Sequence, residues 1–357
     1  MVRTVRQKIF VAMSGGVDSS AAAALLKQQG HDLTGVFIKI EVANGCGWRE
    51  ERRDALRAAA VLRIPLLTLD LSREYKRSVI DYLVREYAAG RTPNPDVRCN
   101  KQIKFGAFFD EARRRGADLI ATGHYARKQL LGSSCQLLAS KDQNKDQTYF
   151  LWTLTPDILA HCLFPIGDYK KAEVRRLAEK FGLPNARKPD SQGLCFLGQI
   201  DFKDFLAQHL PKQKGVVLNE KGERIGEHDG AHLYTIGERH GFRVTAKTSA
   251  SAPLYVIAKD LAKNILVVSN QPLTSASARK EISLNSVNWI NNTPAPNKII
   301  KTRIRYRAPL TSCRVKSLSN SRAQVTFLQP LFGPTPGQSC VFYDSRGRVC
   351  LGGGVIE

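Results

Sequence analysis

The sequence predicts an α/β fold in three parts: a parallel-sheet domain over residues 1–205, a small, mostly-β domain over 206–275, and a C-terminal β-barrel over 276–357. Three observations carry this. Short apolar runs alternate with helical stretches in the first part. The texture then shifts to Gly, Val and Thr with short alternating runs. Beyond residue 276 helical periodicity is absent and short strands recur between Gly and Pro turns. Strand–helix alternation implies parallel strands with helices on both faces, and evenly spaced short strands imply a small barrel.

The first element is Ile9-Phe10-Val11-Ala12-Met13, an apolar run that reads as a buried strand. Ser14-Gly15-Gly16-Val17-Asp18-Ser19-Ser20 follows, then a run of strong helix formers, Ala21 to Lys27. Strand, glycine turn and helix make an anion site. Gly15 and Gly16 let successive N–H groups converge, and the helix presents unpaired amides and its positive dipole end. Ser14, Ser19 and Ser20 add hydroxyl donors, and Asp18 is suited to holding a magnesium ion or fixing the loop. A plain serine-glycine helix cap would look similar, but the preceding strand favours the anion site. No lysine stands where a Walker A loop needs one, and adjacent glycines do not fit Gly-x-Gly-x-x-Gly. The pattern resembles the PP-loop of ATP pyrophosphatases, which split ATP into AMP and pyrophosphate.

Residues 33–38 read as the second strand, 50–62 as a charged helix, 65–70 as the third strand, 104–115 as a helix, and 117–122 as the fourth strand, ending in Gly123-His124-Tyr125. Ligands of such sheets sit beyond the carboxyl ends of the strands, so Ser14, Ile38, Asp70 and Gly123 are expected along one nucleotide pocket. Helices are expected over 170–181, closed by Gly182 and Pro184, and over 201–209, ended by Pro211. Later strands are expected at 254–257, 265–268, 299–306, 313–317, 323–327 and 339–343.

The chain carries 54 Lys+Arg against 32 Asp+Glu, a net charge of +22. Such a surface suits a polyanion, nucleic acid before acidic membrane. No apolar run is long enough to cross a bilayer, and the few residues before the first strand leave no room for a targeting peptide, so the cytoplasm is the expected compartment. The eight cysteines include no C-x-x-C pair, which argues against a structural zinc site.

Two thiols stand in polar, turn-rich settings. Cys99 lies in Thr92-Pro93-Asn94-Pro95-Asp96-Val97-Arg98-Cys99-Asn100-Lys101, where Asn100 and Lys101 are expected to set a helix start and a cation beside it and so raise its thiolate fraction. Cys195 lies in Gly193-Leu194-Cys195-Phe196; packing as a small hydrophobe is the alternative for both. Cys46 is a third loop thiol, and Cys135, Cys162, Cys313, Cys340 and Cys350 read as structural. Residues 140–150 mix lysines, amides and aromatics, while Arg303, Arg305 and Arg307 are expected on one side of a strand, with Tyr306 offering a base a stacking face. His124 reads equally well as structural or catalytic.

Taken in order, Met13 to Ser19, Gly90 to Asp96 with Cys99-Asn100-Lys101, Ala121 to Tyr125, Asn144 to Gln147, Gly193 to Phe196, Arg305 to Arg307, Thr335 to Ser339 and Leu351 to Gly354 resemble the tRNA-specific 2-thiouridylase family over nearly the whole chain. The resemblance implies a PP-loop (adenine nucleotide α-hydrolase-like) first domain. It implies ATP contacts, with magnesium, at Ala12, Met13, Ser14, Gly15, Gly16, Val17, Asp18, Ser19, Ile38 and Gly123. It places the target base at Asn94, Pro95 and Asp96, with Asp96 as general acid/base, and tRNA at Lys145, Asp146, Gln147, Arg305 and Tyr306. It makes Cys195 the persulfide carrier and Cys99 its partner, the two ending as a disulfide. Ala12 and Ile38 stand where the family usually has Gly and Met; neither change removes a chemical group.

The implied reaction adenylates the wobble uridine 2-carbonyl of tRNAs for Lys, Glu and Gln, then installs sulfur supplied by a relay protein or cysteine desulfurase, the enzyme acting as a monomer. A PP-loop synthetase of the asparagine, argininosuccinate or NAD type is the alternative, though it needs no cysteine pair. An iron–sulfur cluster on Asp96, Cys99 and Cys195 is a further expectation to set against the two-thiol route.

Overall fold

The computed structural model describes residues 6–41, 47–132, 134–190, 202–245, 253–271 and 278–357. Cys46 and Cys195 lie outside the described residues.

The first domain contains β1 (Lys8–Ala12), α1 (Val17–Gln28), β2 (Asp32–Lys39), α2 (Trp48–Leu62), β3 (Leu66–Asp70), α3 (Ser72–Tyr75), α4 (Asp81–Ala88), α5 (Pro95–Cys99), α6 (Phe108–Arg114), β4 (Leu119–Ala121), β5 (Ala126–Leu131), β6 (Ser134–Ala139), α7 (Pro156–Ala160), β7 (Cys162–Leu163) and α8 (Lys171–Lys180). Wider π turns join α3 to α4 and α5 to α6. Its parallel sheet has the order β3-β2-β1-β4-β7. The chain builds outward from β1 to β2 and β3, then returns to place β4 on the other side. That reversal opens a crevice beyond the ends of β1 and β4, where α/β sheets take ligands.

Apolar alternation fits the burial. Ile9, Val11 and Met13 pack on the sheet face that carries Ala55, Ala58 and Ala59 of α2, while Phe10, Val36 and Ile38 pack on the opposite face with Cys99 and Ile103. The alanines 21–24 of α1 are at most 1% exposed, and such small side chains let the helix lie close to its neighbours. Gly35 has the same use in β2, where an added Cβ would lie 2.7 Å from Met13 Sδ.

The helix α9 (Phe202–Ala207) opens the second domain, because Leu206 and Leu210 pack in the core formed by Val217, Ile225, Val256 and Leu266. That core covers β8 (Gly215–Leu218), β9 (Arg224–His228), β10 (Arg243–Val244), β11 (Tyr255–Asp260) and β12 (Ile265–Ser269), in the order β10-β9-β8-β12-β11. The last domain comprises β13 (Ala278–Trp289), β14 (Ile300–Arg303), β15 (Thr311–Ser319), β16 (Arg322–Phe332), β17 (Ser339–Tyr343) and β18 (Val349–Ile356). It closes into a barrel because β18 pairs with both β17 and β13. The β5–β6 hairpin of the first domain extends the same sheet, with Val349 opposite Leu138 and Cys350 opposite Leu137.

Two expectations are corrected. The helix expected from residue 104 begins at Pro95 and runs through the π turns to Arg114. The strand expected to run to Tyr306 ends at Arg303, where the chain bends and turns over 304–307 and Arg307 adopts φ +62°. Arg303, Arg305 and Arg307 therefore do not form a row.

Candidate active site

The loop after β1 is built by two unequal glycines. Gly15 has φ +78°, and an added Cβ would lie 2.2 Å from the Glu51 carbonyl oxygen of α2. Gly16, the residue before α1, has ordinary extended backbone, and its Cβ would meet only Ser14 Oγ, at 3.4 Å. Gly15 thus seats the loop against α2, and Gly16 faces open space at the helix start. The hydroxyls stiffen the turn: Ser19 Oγ accepts from Ser14 N at 3.1 Å and donates to Gly16 O at 3.2 Å, while Ser20 Oγ donates to Gly16 O at 3.0 Å. Buried Asn185 donates to Gly15 O and to Ser20 Oγ, both at 2.9 Å, a support no motif announced. Gly123 packs on the same turn from β4, its absent Cβ leaving room for Ser19 N 2.6 Å from where that atom would be.

Ala12 is partly buried beside that core, and Ile38 is only 5% exposed. Val17 and Met13 are buried beneath the loop. Asp18 does not stand alone. Both its oxygens accept from Lys171 Nζ at 2.8 Å, and Oδ1 accepts from the Tyr125 hydroxyl at 2.9 Å. Lys171 also meets Asp190 Oδ1 at 2.8 Å, and Asp190 is further held by Lys145 at 2.6 Å and Arg175 at 3.0 Å. Burial works to raise the Asp190 pKa, but hydrogen bonds from Lys145 and Lys171 outweigh it and hold it down to about 2.

A second centre forms where α5 starts. Asn94 caps that helix, its Oδ1 accepting from Val97 N at 3.1 Å, and Pro95 occupies the first turn, where a missing N–H costs nothing. The cap is therefore Asn94, not Asn100. Asp96 is half-buried, and Cys99 at the end of α5 has no exposed surface. The Tyr149 hydroxyl donates to Ser339 O of the barrel at 3.0 Å. Thr92 N donates to Pro336 O at 2.8 Å and Gln338 Nε2 to Thr92 O at 2.9 Å, so the barrel holds the base of this loop.

The two centres are linked. Tyr125, bonded to Asp18, donates its N–H to Gln147 Oε1 at 2.9 Å and accepts at its carbonyl from Gln147 N at 2.9 Å. Three residues on, Phe150 O accepts from Asn100 Nδ2 at 3.3 Å, beside Cys99.

Family models described as "tRNA methyl transferase HUP domain", "tRNA methyl transferase PRC-barrel domain" and "Aminomethyltransferase beta-barrel domain" match residues 7–199, 203–270 and 279–356. A protein of Nitrosomonas europaea named tRNA-specific 2-thiouridylase MnmA is 43% identical over 357 residues, covering 98% of each chain. The namesake from Shewanella amazonensis is also 43% identical, covering 98% of this chain and 94% of its own. The chain belongs to the tRNA-specific 2-thiouridylase family. Among solved structures, the U34-tRNA thiolase NcsA from Methanococcus maripaludis with its 4Fe-4S cluster is 18% identical, covering 58% of this chain and 69% of its own, with a TM-score of 0.39.

In this member of the thiouridylase family the residues marked for tRNA are unequally placed. Lys145 and Gln147 are partly exposed, whereas Asp146 is buried, accepting from Ser140 N at 3.0 Å and Thr148 Oγ1 at 2.8 Å. Arg305 is half-buried, and one of its terminal nitrogens donates to Ile236 O, Gly333 O and Thr335 Oγ1 at 3.1, 3.2 and 2.9 Å. It ties the central domain to the barrel. Tyr306 packs on Phe150 with ring centroids 4.5 Å apart, and exposed Arg307 lies over the Tyr306 ring at 5.1 Å. His124 is buried between Phe105 and Phe164 and shares a hydrogen bond with Thr122 Oγ1 at 2.8 Å. Burial, helped by nearby Lys104, holds it well below the usual imidazole range.

Burial pushes the Cys340 thiol up to about 12 and raises those of Cys162, Cys313 and Cys350 as well, in keeping with packed thiols. Among the described residues no group of three His, Cys, Asp or Glu side chains could hold a metal ion. Of the three residues expected to hold an iron–sulfur cluster, Asp96 and Cys99 are described and Cys195 is not.

Proposed function

We propose that this enzyme makes 2-thiouridine in tRNA: it adenylates the 2-carbonyl oxygen of the wobble uridine with ATP, then replaces that oxygen with sulfur from a Cys195 persulfide. The observation that carries the reading is the chain of contacts from Asp18 through Tyr125 and Gln147 to the Phe150–Asn100 bond. It joins an anion loop to a capped helix bearing Asp96 and Cys99.

A uridine carbonyl oxygen is a poor leaving group until it carries AMP. The loop at Gly15 and Gly16 and the first amides of α1 hold the phosphates of magnesium-bound ATP, a substrate rather than a resident cofactor. The uridine oxygen bonds to the α-phosphorus as the bond to pyrophosphate breaks, and Asp96 takes the N3 proton. The terminal sulfur of the Cys195 persulfide then attacks C2 and expels AMP. The Cys99 thiolate attacks the inner sulfur, breaking the S–S bond and leaving a Cys99–Cys195 disulfide for a thiol reductant to clear. Buried Cys99 must be uncovered first, and seating a flipped base on the Asn94 loop supplies that motion.

The tRNA lies along Lys145, Gln147, Tyr306 and Arg307, with the basic charge of the chain behind it. Its substrates are tRNAs for Lys, Glu and Gln, its sulfur comes from a relay protein or a desulfurase, and it acts as a cytoplasmic monomer. The test is mass spectrometry of tRNA incubated with enzyme, ATP and a persulfide donor. The parent gains sulfur for oxygen at the wobble uridine, while Cys99→Ser and Cys195→Ser do not, both keeping tRNA affinity. Full thiolation by either variant would sink the two-thiol mechanism.

A further inference from the structure

The loop Ser14 to Ser20 lacks the lysine by which other phosphate loops grip the outer phosphates. We propose that Lys171, the first residue of α8, is that cation: it rests on Asp18 and Asp190 and swings to the pyrophosphate that departs during adenylation. The inference rests on the thiouridylase reading and extends it to a residue outside the phosphate loop.

The geometry favours movement over a fixed strut. The Lys171 side chain is 14% exposed and reaches across the first turn of α1 to both oxygens of Asp18. When it leaves, neither carboxylate is stranded. Asp18 keeps the Tyr125 hydroxyl, and Asp190 keeps Lys145 and Arg175. The backbone stays anchored meanwhile, since Lys171 N donates to Asp142 Oδ2 at 2.9 Å. Nor is the ion pair needed to dock the helices, because Ala21, Ala22 and Leu25 of α1 already pack with Val174 of α8. A lysine is suited to the task, being a point charge with rotatable donors on a flexible stem.

Charge accumulates on the bridging oxygen as the α-phosphorus passes to the uridine and the electron pair goes to pyrophosphate. The ammonium neutralises that charge. Removing one such group costs about 10²–10³ in turnover.

The test compares the parent, Lys171→Met and Lys171→Arg in tRNA-dependent pyrophosphate release, with product inhibition by inorganic pyrophosphate and by AMP. Lys171→Met is expected to lose about 10²–10³ in kcat. It should also weaken pyrophosphate inhibition at least about tenfold, leaving AMP inhibition and tRNA affinity unchanged. Lys171→Arg, which keeps the charge, should restore most of both. Parent-like kcat and pyrophosphate inhibition in Lys171→Met overturn the proposal, as does an equal loss of pyrophosphate and AMP affinity, the mark of a collapsed site. A parent enzyme that releases no pyrophosphate with tRNA overturns instead the thiouridylase reading beneath it.

Discussion

Replacing Gly15 and Gly16 one at a time by alanine separates the two tasks of the phosphate loop. At Gly15 the backbone is left-handed, φ +78°, and an added Cβ would sit 2.2 Å from the Glu51 oxygen, an atom of helix backbone that cannot rotate aside. Left-handed backbone costs an L-residue about 1–2 kcal/mol, and forcing the contact open adds about 1–3 kcal/mol. The expected loss is therefore about 2–5 kcal/mol, which lowers the apparent melting temperature by roughly 4 °C or more. At Gly16 the backbone suits any residue, and the Cβ meets nothing nearer than Ser14 Oγ at 3.4 Å. Gly16→Ala should melt with the parent yet bind ATP at least about tenfold more weakly, because on the proposed reading the methyl group takes the place of a phosphate. Circular-dichroism melts and calorimetric titration with ATP read the two effects separately. A Gly15→Ala protein that melts with the parent, or a Gly16→Ala protein that binds ATP as the parent does, would refute the assignment.

Two other outcomes are accessible. His124 is neutral in the fold because burial depresses its pKa, so below about pH 6.5 the unfolded chain binds a proton that the folded one does not. Stability should fall on acidification through that range, by up to about 1.4 kcal/mol per pH unit from this group, and His124→Gln should flatten the slope in urea titrations taken from pH 7 to 5. Tyr149→Phe leaves the Ser339 carbonyl buried without its donor. It should cost about 1–3 kcal/mol in urea unfolding and lower thiouridine yield more than tRNA affinity; equal losses of yield and affinity would argue against a role in placing the base.

Much of the fold was legible because its signals are local. Glycine next to glycine between an apolar run and an alanine run marks the phosphate loop, and the 50–62 and 170–181 helices carry their own periodicity and stops. What escaped depends on partners far along the chain. Residues 126–139 form a hairpin whose pairing partner, Val349–Ile356, lies two hundred residues on and is rich in glycine, so neither strand announces itself alone. The arginine row failed because the strand stops at Arg303, and the bend and turn over 304–307 carry Arg305 and Arg307 off its face. Lys171 and Asn185 stand in stretches that look like ordinary surface, and only the packing of α8 on α1 brings them to the loop. Asn94 as the cap was visible in Asn-Pro-Asp, but the nearby Asn-Lys drew the helix start too far along.

The hairpin that continues the barrel sheet has a bearing on how such enzymes can be recombined. A cut at the sequence boundary near residue 275 looks like a clean seam between modules. Yet a barrel transplanted there from a 43% identical relative would arrive with its own last strand and meet a foreign β6 at Leu137 and Leu138. Chimeras that carry residues 126–139 along with the barrel keep that seam matched, so the exchangeable unit is discontinuous in sequence.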